Sequence, residues 1–116
     1  MNELKTNFSP DKYFKVDNIL IDLFAKELGV NALAIYIALK RHANKNGVAW
    51  PTVEYLAKEL GTSTRTIKRY ARRLEEHQLL YRVKRKHEGA WGHYTYYLMP
   101  RDDWKSSDKS ELLVDK

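Results

Sequence analysis

Two short amphipathic patterns on either side of Gly61 constrain this chain more than any other feature. Val53, Leu56, Ala57 and Leu60 recur at helical spacing along one face, and Ile67, Ala71 and Leu74 line one side of a second helix. Thr52 or Pro51 starts the first helix, and Ser63 caps the second. Only three residues, Gly61-Thr62-Ser63, lie between them. Ala57 must be small, because the second helix crosses it at close range. Gly61 must reach positive φ for the chain to leave the first helix sharply. Ile67 must be branched and apolar to lock the two helices around the turn.

The surrounding sequence supplies further elements. Asp17 can cap a helix carrying Ile19, Leu20, Leu23, Phe24 and Leu28, and Gly29 can end it. Asn31 is the expected cap of the next helix, which is apolar throughout Ala32 to Leu39 and closes with Lys40-Arg41-His42, cations that suit a helix C-terminus. Asn44 to Gly47 is turn chemistry, and Val48-Ala49-Trp50 predicts a short strand closed by Pro51. After Gln78, Tyr81 and Val83 alternate with Arg82, Lys84 and Lys86, a period of two. Gly89 and Gly92 mark a loop, and His93 to Leu98 reads as a returning strand. The expected organisation is a loose arm over 1–13, a folded domain over 14–99 and a polar, disordered tail over 100–116. The fold class is mainly α with a small antiparallel β-hairpin.

A chain of 116 residues allows one domain with one modest core. It has no cysteine, which excludes disulfides, a thiol nucleophile and a cysteine zinc site. No run of 18 apolar residues offers a membrane span, and Met1 to Lys5 lacks a secretory pattern, so a cytoplasmic protein is expected. His42, His77, His87 and His93 show no ligand spacing, and nothing pairs a nucleophile with a base. The reading is therefore not an enzyme, with no metal and no cofactor.

The charge is where the function shows. The chain carries 21 Lys+Arg and 15 Asp+Glu, a net of +6. Ser63 to Glu88 alone hold nine basic and three acidic residues, so 9 − 3 = +6 and the whole excess sits in one stretch. That is the footprint of a polyanion-binding surface. At about 100° per residue from Ile67, Arg65 lies near 160°, Arg69 near 200° and Arg72 near 140°. These three point away from the core on one stripe, with Lys68 and Arg73 at its edges.

Trp50-Pro51-Thr52, Leu56 to Gly61, Ser63, Arg65-Thr66-Ile67 and Leu74-Glu75-Glu76, followed by a basic hairpin, resemble the winged helix-turn-helix family. More narrowly, they resemble modules of phage and plasmid replication proteins and small bacterial transcriptional regulators. The match runs from about Asn31 to Leu98. It departs at Gln78, where many relatives place a glycine before the first wing strand. The resemblance implies that a recognition helix over 64–78 enters the major groove of double-stranded DNA. Its contact residues would be Ser63, Thr64, Arg65, Thr66, Lys68, Arg69, Arg72 and Arg73. A basic wing over 82–92 would add Arg82, Lys84, Arg85, Lys86 and His87, mainly on phosphates.

Trp50, Trp91, Tyr94, Tyr96 and Tyr97 could stack on bases, but packing the small sheet onto the helices is the preferred reading. The all-round apolar helix over Ala32 to Leu39 must be covered on every side. Its cover is either the helix after Asp17 or a second chain, and a homodimer through Leu20, Phe24, Leu33 and Ile37 is the partner expected. A sequence-specific transcriptional regulator is the leading function. The alternatives are the DNA-binding module of a replication initiator and a winged helix that binds protein.

Overall fold

The computed structural model describes residues 13–85 and 93–105. Asp17 opens the first helix as expected: its Oδ1 accepts the Ile19 N–H at 3.0 Å. A π-helical stretch, Leu20–Phe24, runs into an α-helical one, Ala25–Leu28; together they form α1, residues 20–28. Gly29 ends α1 at φ +87° and ψ 165°, a region open only to glycine, and the next helix begins at once. This is α2, Val30–His42. Asn31 does not cap it. The reversal at Gly29 is so abrupt that Asn31 already lies within the first turn, and the Gly29 carbonyl accepts the Leu33 N–H.

Asn44 builds the turn that follows, its Oδ1 accepting the N–H groups of Asn46 and Val48. Next come β1 (Val48–Ala49), α3 (Val53–Leu60), α4 (Thr64–Glu76), β2 (Leu80–Lys84) and β3 (Tyr94–Leu98). The strands form one antiparallel sheet in the order β1-β3-β2, with Val48 opposite Tyr97 and Tyr97 opposite Tyr81. The short strand thus joins the hairpin as a third member, and the architecture is a winged helix-turn-helix.

Identical caps end α3 and α4. After α3, Gly61 takes φ +68° while its N–H reaches the Lys58 carbonyl and the Thr62 N–H reaches Ala57. After α4, Gln78 takes φ +64°, its N–H reaches Glu75, and the Leu79 N–H reaches Leu74. Both are Schellman motifs, whose left-handed residue favours glycine. The expected helix over 64–78 therefore stops at Glu76. Gln78, with its Cβ, occupies the left-handed slot of the second motif.

The core gathers α1, α2, α3, α4 and the helix-facing side of the sheet. Leu20, Phe24, Leu39, Leu56, Ile67 and Leu74 are each 0% exposed. Phe24 and Leu20 are spent inside the chain, and Leu33 is buried too; only Ile37, at 37%, faces outward. The two N-terminal helices cover each other, so Leu20, Phe24 and Leu33, expected on a dimer surface, are buried within the chain instead. Burial pushes the phenols of Tyr36 and Tyr96 up to about 12.

The domain also runs past its expected end at 99. After a 3₁₀ turn at Arg101–Asp103, Trp104 folds back into the core at 2% exposure. Its ring meets Phe24 edge-on at 5.5 Å and Tyr36 at 5.6 Å, and its indole N–H donates to the Met99 carbonyl at 2.9 Å. Arg101 pairs with Asp17 at 3.2 Å. A polar stretch hid one large aromatic anchor; truncating such a residue costs about 3–5 kcal/mol. The rest of the expected tail, 106–116, and the expected arm over 1–12 lie outside the described residues.

Candidate nucleic-acid interface

Helix α4 stands on Ser63, whose Oγ accepts the Thr66 N–H at 3.1 Å and lies 3.0 Å from the Thr66 hydroxyl. Ile67, Ala71 and Leu74 turn inward, and the opposite side carries the charge. Arg65, Lys68, Arg69 and Arg72 are all exposed. They recur at spacings of three and four, so they form one continuous stripe. The Arg69 guanidinium lies 5.7 Å from the Tyr70 ring. Arg72 sits 3.7 Å from Glu76 with both side chains open to solvent, an exposed pair worth little. Thr64 and Thr66 are half-buried at the start of the helix, beside the exposed Ser63.

Arg73 does not join that stripe. It is half-buried on the flank facing α1, where its Nη2 donates to the Glu27 carbonyl at 2.7 Å. Glu27 lies in the last turn of α1, and a cation there answers the unpaired carbonyls of a helix end. His77 fastens the same junction, with Nδ1 at 2.9 Å from the Arg73 carbonyl and Nε2 at 3.1 Å from Glu27 Oε2. Arg73 thus ties α4 to α1.

The wing strand divides its residues unexpectedly. Leu80, Arg82 and Lys84 lie opposite Leu98, Tyr96 and Tyr94, and the buried Leu80 and Tyr96 show that this side of the sheet covers the helices. Tyr81 and Val83 face solvent instead, at 45% and 47% exposure. Arg82 is turned in: Nε and Nη2 donate to Glu75 Oε1 at 3.1 and 3.0 Å, and its backbone N–H donates to Glu75 Oε2 at 3.1 Å. Its guanidinium covers the Tyr94 ring at 4.8 Å. Lys84, one step beyond along the same side, is exposed. Arg85 is half-buried, its N–H on the His93 carbonyl at 2.8 Å and its Nη2 3.5 Å from the Trp50 carbonyl. Lys86, His87 and Trp91 lie outside the described residues.

The aromatic residues split as well. Tyr96 is core, as expected, and Tyr94 is half-buried beneath Arg82. Tyr97 is on the solvent face, stacked on Tyr81 with ring centroids 4.7 Å apart. Trp50 is 53% exposed beside a shallow cleft formed with His42, Pro51, Thr52 and Tyr55. Tyr55, 50% exposed, is a further aromatic residue of this face. Its place off the Val53–Leu56–Ala57–Leu60 stripe is the signal that could have found it.

Among the described residues, no three His, Asp or Glu gather where they could hold a metal, and no helix is long and apolar enough to cross a membrane. Residues 26–80 match a family model described as a helix-turn-helix domain, a span that begins in α1 and ends at the first residue of β2. No curated protein and no solved structure matches the chain.

Proposed function

With residues 26–80 belonging to the helix-turn-helix family, we propose that this protein binds double-stranded DNA sequence-specifically and acts as a small transcriptional regulator. Helix-turn-helix domains set their second helix in the major groove while the first crosses the backbone. Here the second helix is α4, and the observation that carries the reading is its exposed stripe of Arg65, Lys68, Arg69 and Arg72. Arginine can take guanine O6 and N7 in two parallel hydrogen bonds, worth about 1–3 kcal/mol of discrimination each. The roles divide along the helix. Arg69 and Arg72 read bases from its middle, Lys68 and Arg65 flank them, and Ser63, Thr64 and Thr66 meet the backbone at its start. Lys84, Lys86 and His87 of the wing add phosphate contacts and salt dependence.

Fluorescence-anisotropy titration tests this with two labelled duplexes, one random and one taken from DNA flanking the protein's own gene. Preferential binding to the flanking duplex, weakening steeply with salt, is expected. Arg69→Ala and Arg72→Ala should each lose about 5- to 150-fold on the preferred duplex, the equivalent of a bidentate base contact, and less on the random one. An equal loss on both would rule out base reading. Absence of binding at low salt would rule out DNA as the ligand.

A further inference from the structure

We infer that Glu75 is a positioning residue for DNA binding: by clamping Arg82 it fixes the wing strands against the recognition helix, so Arg82 serves the interface through the wing's pose and not by touching phosphate. The inference rests on the DNA-binding reading and deepens it.

Glu75 sits in the last turn of α4, and its carboxylate takes three hydrogen bonds from one residue of β2. Two come from the Arg82 guanidinium at 3.1 and 3.0 Å, and the third from the Arg82 N–H at 3.1 Å. That N–H points away from β3, on the open edge of the sheet, since β2 is the outer strand of the order β1-β3-β2. The same guanidinium lies on Tyr94 of β3 at 4.8 Å. One side chain therefore touches the helix and both wing strands. The covalent connection it spans is short and sharply bent, His77 to Leu79 with Gln78 at φ +64°. The Arg82 side chain is only 15% exposed, unlike Arg72 at 75%. A half-buried fork on a carboxylate is geometrically specific and stronger than an exposed ion pair.

The sign of the effect makes the inference testable. An acidic side chain beside a DNA-binding surface repels phosphate, so removing it should tighten binding if charge were its only effect. Removing a clamp should weaken binding. Arg82 carries a second signature: a residue that touches phosphate contributes about 0.9 to the slope of log affinity against log salt, and a positioning residue contributes nothing.

Anisotropy titrations of the full chain across a salt series decide this, with thermal melts establishing that each variant is folded at the assay temperature. Glu75→Ala and Arg82→Ala should each weaken duplex binding about tenfold with the salt slope unchanged. Glu75→Gln, which keeps an acceptor oxygen, should fall between wild type and Glu75→Ala. If the alanine variants melt below the assay temperature, Arg82→Lys carries the test: it keeps the charge, loses the fork and should still weaken binding with the wild-type slope. Binding by Glu75→Ala or Arg82→Lys as tight as wild type overturns the clamp, as does a slope shallower by about 0.9 for Arg82→Ala. In those cases wild-type binding leaves the DNA reading standing. If the wild-type protein binds no duplex at low salt, the DNA reading and the clamp fall together.

Discussion

The basic residues of α4 and those of β2 look alike in the sequence and behave differently in the fold. Arg65, Lys68, Arg69 and Arg72 stand in water along one side of a helix. Arg82, in contrast, is folded under the sheet onto Glu75, and Arg85 is drawn toward the Trp50 carbonyl. The difference comes from geometry. A helix with Ile67, Ala71 and Leu74 buried must expose the side opposite them, so its cations have one place to go. A strand has two sides, and the period of two does not say which is covered. Here Leu80 settles it, being buried, and that places Arg82 inward and Tyr81 outward. Counting charges locates a basic region; only the buried neighbours show which charges are available.

The bluntest way to break the comparison is to unfold both elements together with alkali. Tyr36 and Tyr96 hold their protons to about pH 12 in the folded chain, while unfolded tyrosine gives its proton up near pH 10. The folded state then binds more protons than the unfolded one, so stability is fully present below pH 10 and falls as pH rises toward 12. Denaturant titrations followed by circular dichroism at pH 8, 10 and 11 should show this decline. Tyr36→Phe or Tyr96→Phe should make it shallower; a flat profile in wild type would show that neither phenol is held.

A finer cut compares two adjacent arginines of α4. Arg73→Ala removes a half-buried donor to the Glu27 carbonyl and should cost about 1–3 kcal/mol of stability, with duplex affinity of the folded protein unchanged. Arg72→Ala should do the reverse, weakening duplex binding while leaving stability within about 0.5 kcal/mol. Melts and titrations of the two variants side by side would erase the distinction if both properties moved together.

The smallest effect lies at the junction of helix and strand. Gln78→Gly relieves a left-handed residue with a Cβ and should stabilise the fold by about 1 kcal/mol. It should leave the salt slope of binding unchanged. Chemical denaturation is sensitive enough to read that gain, and a loss would show that the Gln78 side chain contributes more than its backbone costs.

Much of the fold is legible in the sequence. The turn at Gly61, the Ser63 cap and the exposed stripe on α4 follow from spacing alone, because each depends on residues within one or two helical turns. The Arg73 contact is not legible in the sequence, because its partner is the carbonyl of Glu27, 46 residues earlier, and a backbone acceptor leaves no trace there. The inward turn of Arg82 was hidden for a related reason: Glu75 reads as one more charge on a helix until the strand folds beside it. The polar neighbours of Trp104 read as a tail, and polarity around one large aromatic residue says little about where that residue docks. Leu20, Phe24 and Leu33 are covered from within the chain; an apolar helix announces that it must be covered, not by what.

The docking of Trp104 also bears on time. Its partners are Phe24 and Tyr36, and the neighbouring Arg101–Asp17 pair joins residues 84 apart in the chain. Contacts that distant require the closure of nearly the whole domain as a loop, and such closures slow folding. The helices and their turn can form early from local contacts, whereas the docking of Trp104 over Phe24 is expected to come late, which stopped-flow refolding of Trp104→Phe would test. On that schedule the final seal of the core is the step that unfolding undoes first, so weakening it should quicken the loss of structure far more than it delays its gain.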